Sequence, residues 1–350
     1  MSKVRKQLGF LVHLAEMFNH YAAVWKLMSS DEFEIVVTGS SQERVRIQRM
    51  AAELGYRTVT AEQCIQGRER YRHLVSNHCL ENINGTPLVQ VLGDYNIRFM
   101  YALGKARHNF ADWNRLYNMI MCFGPYQVEK LAFCESTVKL QMGYPRYDEY
   151  FSTGHDSGKI AAHYACNPDL QTIVWLPTWR ELCSLDLYSE QISLLASAYN
   201  VIVKPHPLSV QTERARIERL QQLPFTRVIT EQVDSLDLFR IADFVLCDYG
   251  GPAFGALYLD KKTILLNVAG AENDALTGGD SADIALRQSL PSLDTVTIPK
   301  IWGLLEDEAT WEQQKLIRRQ LRNYYFAPYQ GFSASVAAQA LGNREIILAA

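Results

Sequence analysis

The chain has 350 residues, of which 48% are apolar and 21% charged, with a net charge of −3 and a pI near 6.3. That balance gives no support to nucleic acid as the main partner, and the length predicts two domains. Seven scattered cysteines without a Cys-x-x-Cys pair argue for a reducing compartment and against a disulfide frame or a zinc site.

The apolar run behind the amino terminus is broken by His13 and Glu16, so neither a signal peptide nor a membrane span is expected. Strands are predicted at 8–12, 33–38, 57–60, 71–76, 97–103, 118–123 and 138–142. Helices are predicted at 14–28 and 42–54, the second ended by Gly55. Such alternation predicts a parallel, doubly wound sheet. Residues 151–171 are polar and turn-rich, which sets a boundary between a domain at 1–155 and another at 156–330. The second series has strands at 172–176, 201–203, 227–229, 244–247 and 263–266. Its helices are 181–199, 209–222, 235–242 and 311–325. Residues 270–295 read as loop with a short helix. The Ala-rich helix near 331–342 is expected to pack back on the first domain.

The stretch 242–267 organises the second half. An apolar strand runs into Asp248-Tyr249-Gly250-Gly251-Pro252, then a helix, then another strand. Paired glycines permit a tight turn and Pro252 suits a first helical turn. Backbone amides and the positive end of a helix dipole then lie at the carboxyl edge of a sheet, where α/β folds bind phosphates. Two more polar clusters follow strands, Thr178-Trp179-Arg180 and Lys204-Pro205-His206-Pro207. The carboxyl ends of parallel strands share one edge, so the three clusters should meet. Arg180 would grip phosphate, His206 would donate, Gly250 and Gly251 would offer amides, and Trp179 would pack. Asp248 reads equally well as a helix cap.

In the first half, Gly104, Lys105 and His108 sit in a basic, polar stretch that suits an acceptor. His13 and His20 flank the first strand–helix turn. No histidine or carboxylate set is spaced like a metal site, and no nucleophile elbow is present.

The clusters, taken in order, resemble the CDP-glycerol glycerophosphotransferase family of teichoic acid and capsular polymer enzymes. The segments Phe123-Gly124-Pro125-Tyr126 and Gly143-Tyr144-Pro145-Arg146-Tyr147-Asp148 also look like that family, and the likeness covers about residues 97–267. The resemblance implies an α/β chain of GT-B type: two Rossmann-like, doubly wound parallel-sheet domains facing across a cleft. The C-terminal domain would hold the donor through Thr178, Arg180, Lys204, His206, Asp248, Tyr249, Gly250, Gly251 and Pro252. Gly104, Lys105, His20, Arg146 and Asp148 would lie on the acceptor side.

The implied reaction moves glycerol or ribitol phosphate from a CDP-activated donor to a glycan or polyol hydroxyl. Arg180 and His206 would stabilise the leaving group, and His108, His13 or His20 would serve as base. No cofactor or metal is expected, the CDP-alditol being a substrate. The acceptor would be a glycan or lipid-linked molecule, and the protein cytoplasmic, with peripheral contact at the inner membrane face left open. Two departures stand out: the family's turn serines are Gly250 and Gly251 here, and its acceptor-side histidine falls on Leu103. They keep two alternatives open, a nucleotide-sugar glycosyltransferase or epimerase, and a catalytically degenerate scaffold.

Overall fold

A computed structural model describes residues 3–4, 7–79 and 81–349. They form two α/β units. One holds the chain up to Tyr101, Phe110–Phe151 and the part from Tyr324 onward. The other holds Ala102–Asn109 and Ser152–Asn323.

Strands of the first unit are β1 (Lys3–Val4), β2 (Leu8–Val12), β3 (Phe33–Val37), β4 (Thr58–Thr60), β5 (Glu69–Ser76), β6 (Asn82–Ile83), β7 (Thr86–Pro87), β8 (Gly93–Phe99), β9 (Met119–Cys122) and β10 (Val138–Gln141). Apart from the β6–β7 hairpin they form one parallel sheet in the order β10-β9-β8-β5-β2-β3-β4, with β1 beside β5. The chain winds from β2 outward to β4, then returns to lay β5 on the other flank of β2. The order therefore reverses between β2 and β5. Both β2 and β3 are buried throughout. The helix Phe18–Trp25 covers them with Phe18, Tyr21, Val24 and Trp25, which recur at helical spacing. Trp25 stacks on Tyr21 and Phe33 at centroid distances of 5.2 and 5.8 Å.

The second unit has β11 (Thr172–Leu176), β12 (Asn200–Val203), β13 (Arg227–Val228), β14 (Phe244–Cys247), β15 (Lys262–Leu266) and β16 (Ser292–Leu293). All pair in parallel, in the order β13-β12-β11-β14-β15-β16. This repeats the winding of the first sheet, and the order reverses between β11 and β14. Helix Leu185–Ser193 packs Leu185, Tyr188 and Ile192 into a core with Trp175, Val203, Phe244 and Trp311.

Some elements depart from the sequence reading. The strand predicted at 97–103 starts earlier and ends at Phe99, after which the chain leaves for the second unit. The predicted helix 181–199 is broken into Arg180–Leu182, Leu185–Ser193 and Leu194–Ser197; the first break falls where Ser184 spends its amide and hydroxyl on Asp248. The predicted helix 209–222 is interrupted at Glu213. A helix at Ser157–His163, capped by Asp156, lies in the stretch read as turns. Among the described residues, no helix is long and apolar enough to cross a membrane.

Candidate active site

The reversal point of the second sheet carries a pocket of about 340 Å³ at the carboxyl ends of β11 and β14. Thr178, Trp179 and Arg180 line it from the β11 side, and Tyr249 and Gly250 from the β14 side. Gly250 stands before the helix Gly251–Tyr258 with φ +97°, a left-handed conformation that favours glycine, and Pro252 sits in the first turn.

Trp179 is more than packing. The Arg180 guanidinium carbon lies 4.0 Å from its ring centroid, and the His206 ring stacks on it at 5.6 Å and 17°. The indole thus holds an exposed arginine and a half-buried histidine together. Arg180 itself has φ +58° at the head of its short 3-10 turn. His206 caps the helix Pro207–Thr212 by accepting the Leu208 amide at Nδ1, 3.2 Å away. A neutral ring whose Nδ1 accepts carries its proton on Nε2. Lys204 lies on the strand end, its amide donating to the Trp175 carbonyl at 2.9 Å, and it does not line the pocket.

Asp248 corrects the expectation of a donor contact or a cap of the following helix. Its side chain is fully buried. It accepts the amides of Thr178 (2.7 and 2.9 Å), Ser184 (3.0 Å) and Tyr249 (2.7 Å) and the Ser184 hydroxyl (2.9 Å). The carboxylate ties the loop after β11 to the loop after β14. Burial pushes its pKa up to about 6 against those hydrogen bonds.

The Gly250 amide, expected to meet a phosphate, donates to Asp283 Oδ1 at 2.8 Å. Asp283 Oδ2 accepts the Lys105 amide and the Ser281 hydroxyl, each at 3.0 Å. Lys105 has φ +56° and lines the same pocket. Gly104 beside it has no room for a side chain, since a Cβ there would collide with the Asp283 carboxylate. Gly104 and Lys105, read as acceptor-side residues, therefore build the pocket that holds Arg180. Arg287 supports the turn, stacked 3.7 Å from the Tyr249 centroid and donating to the Asp248 carbonyl. Sequence reasoning missed Asp283 and Arg287, which lie in a stretch without periodicity.

The other candidates lie elsewhere. His108 is half-buried in the short helix Ala106–Asn109 of the second unit. In the first unit His13 meets His78, Nε2 to Nε2, at 2.8 Å. His20 is buried edge-on to Tyr101, and burial with Arg146 nearby holds its pKa well below the usual histidine value. Arg146 lies over Tyr147, its guanidinium carbon 5.6 Å from the ring centroid. Asp148 accepts the Ala334 amide at 2.5 Å, in the first turn of the helix Ser333–Gly342. Among the described residues, no group of three or more histidine, cysteine or acidic side chains is placed to hold a metal ion.

The model of the CDP-glycerol:poly(glycerophosphate) glycerophosphotransferase family matches residues 10–272, most of the chain. The chain belongs to that family. Membership makes it an enzyme of the glycerophosphotransferase kind. No curated protein matches it in a sequence search. Among solved structures, it is similar to the wall teichoic acid polymerase TagF in a variant soaked with CDPG: 14% identity over 99% of this chain and 89% of that one, TM-score 0.65. It is also similar to a putative UDP-N-acetylglucosamine 2-epimerase from Listeria monocytogenes, at 12% identity over 99% and 97%, TM-score 0.64. MurG from Acinetobacter baumannii follows at 9% identity over 96% and 99%, TM-score 0.54. At such identities the likeness speaks for the fold alone, which is the GT-B type.

Proposed function

We propose that this family member moves glycerol or ribitol phosphate from a CDP-activated donor to a glycan or polyol hydroxyl in cell-surface polymer synthesis. The carrying observation is the pocket at the β11–β14 reversal, where Arg180, held on Trp179, and Lys105 converge beside the Gly250 turn. The acceptor oxygen bonds to the alditol-side phosphorus, the bridging P–O bond breaks, and CMP departs with the electron pair. Arg180 and the Nε2–H of His206 meet the charge that develops on that leaving group. Because Asp283 already occupies the Gly250 amide, phosphate binding falls to the cationic side chains. In this reading no cofactor takes part. The acceptor is a glycan or lipid-linked molecule, and contact with the inner membrane face is peripheral.

The glycine pair without hydroxyls, together with Asp283 at the helix start, favours a second reading as a nucleotide-sugar transferase or epimerase. Incubation with labelled CDP-glycerol and CDP-ribitol decides between them. Transfer of label to a polyol acceptor by the wild type, with a loss of about 100-fold in Arg180→Ala, supports the first. Stabilisation by UDP- or GDP-sugars without CDP-alditol turnover supports the second. Donor binding without any turnover would instead mark a scaffold.

A further inference from the structure

Among the described residues, six that are not glycine have a positive φ. Two of them, Lys105 at +56° and Arg180 at +58°, are the two cations that line the pocket at the β11–β14 reversal. A residue with a Cβ takes that conformation at a cost, and it persists only where the surroundings impose it, as at ligand clamps. Around Lys105 they do. Its amide donates to Asp283 Oδ2 at 3.0 Å, and its carbonyl accepts the His108 and Asn109 amides at 3.0 and 2.9 Å. Asn109, wholly buried, donates through Nδ2 to the Gly104 carbonyl at 2.6 Å. The Arg107 amide reaches the Leu276 carbonyl at 3.1 Å, and its side chain lies on Gly278, where a Cβ would come within 2.6 Å of Nε.

All of these contacts fix the loop and leave the Lys105 side chain to the pocket. Among the described residues its ammonium makes no hydrogen bond or ion pair. The carboxylates beside it are spent on amides: Asp283 on those of Gly250 and Lys105, Asp274 Oδ1 on those of Leu276 and Thr277 at 3.0 and 2.8 Å. Arg180 follows β11. Lys105 is joined through Asp283 to the Gly250 turn, which follows β14. One cation therefore serves each flank of the crevice. The volume of about 340 Å³ suits a small-molecule ligand, and a diphosphate has one phosphoryl group for each cation.

We propose that Lys105 holds the phosphoryl group that is transferred, its ammonium on the non-bridging oxygens of the alditol-side phosphate, while Arg180 takes the cytidine-side phosphate. The inference rests on the donor reading above, in which Arg180 and His206 serve the CMP leaving group. Lys105 supplies charge and moves no proton. The acceptor oxygen bonds to the phosphorus that Lys105 holds, the bridging P–O bond breaks, the electron pair leaves on CMP, and the hydroxyl proton passes to solvent. The charge on those oxygens is already present in the bound donor, so the contact acts on binding as well as on rate. CMP, with its single phosphate, leaves Lys105 unused.

Isothermal titration of the full-length protein with CDP and with CMP separates the two phosphates. Lys105→Asn removes the ammonium, keeps the amide for Asp283, and places a residue that tolerates positive φ. Its affinity for CDP should fall about 10-fold or more, and its affinity for CMP should stay within about twofold of wild type. Arg180→Ala should weaken both. Lys105→Gly relieves the positive φ and should show the same split as Lys105→Asn, which separates loss of charge from damage to the loop. In turnover, sulfur in place of a non-bridging oxygen on the alditol-side phosphorus of CDP-glycerol should slow wild type more than Lys105→Asn. Sulfur on the cytidine-side phosphorus should slow both alike. A wild type that binds neither nucleotide defeats the donor reading and the inference with it. A wild type that binds CDP but transfers nothing defeats the transferase reading, while the CDP and CMP titrations still decide on Lys105. Lys105 variants that bind CDP as wild type does, or that lose CDP and CMP equally, overturn the inference alone.

Discussion

Asp283 accepts the amide of Gly250 at 2.8 Å, so a carboxylate already stands at the head of the Gly251–Tyr258 helix. It is almost wholly buried and bridges to the Lys105 amide as well. Removing it in Asp283→Ala leaves buried donors without an acceptor, and the expected cost is about 1–3 kcal/mol. Thermal unfolding should register the loss, and amide exchange at Gly250 and Lys105 should accelerate. Gly104→Ala should act in the same direction by forcing a Cβ against the same carboxylate.

Trp179 carries both Arg180 and His206. Trp179→Phe keeps an aromatic face and should retain most donor binding. Trp179→Ala should weaken CDP-alditol binding by about 10-fold, because two cationic or polar side chains lose their support. Isothermal titration with CDP-glycerol reads the difference, and equal affinities in the two variants would remove the indole from the site.

Asp248→Asn retains one accepting oxygen where the carboxylate uses two, and turns an NH₂ toward amide donors. The expected loss is about 1–3 kcal/mol of stability with a raised KM for the donor. The wild-type carboxyl has a folded pKa near 6, above its ordinary 3.8. The folded protein therefore holds the proton more tightly. The contribution of this group is full below about 3.8 and fades as pH rises through about 6. That slope should be missing from the stability profile of the variant.

His13 gives the opposite slope. Its folded pKa near 4 lies below the ordinary 6.5, so the neutral ring is favoured in the fold. Its contribution is complete above about 6.5 and is lost as pH falls through about 4, amounting to about 3 kcal/mol. His13→Asn should flatten this part of the acid limb, followed by thermal unfolding between pH 4 and 7.

Strand positions were legible because β2, β3, β11, β12 and β14 are short apolar runs buried on both faces. Turn chemistry exposed the Gly250 bend, and the dipeptide Asn84-Gly85, both with positive φ, signals the β6–β7 hairpin that the reading passed over. Of the three clusters expected to meet, the Thr178–Arg180 loop and the Gly250 turn share one pocket, whereas Lys204 and His206 do not line it and His206 adjoins it through the ring of Trp179. The carboxylates were harder to assign. Asp148, Asp248 and Asp283 each accept amides from distant segments, and no local pattern distinguishes such a brace from a ligand contact. His78 follows β5 as His13 follows β2, but only the strand order reveals that the two are neighbours.

Residues Ala102–Asn109 belong to the second unit although the chain on both sides of them belongs to the first. A fragment begun at Ser152 would therefore lack Gly104, the Lys105 amide bound to Asp283, and one wall of the pocket beside Arg180 and Gly250. The back half is not a portable cassette. Gene fusions or domain exchanges with relatives should carry this eight-residue loop along with it, or they will assemble a pocket with an open side.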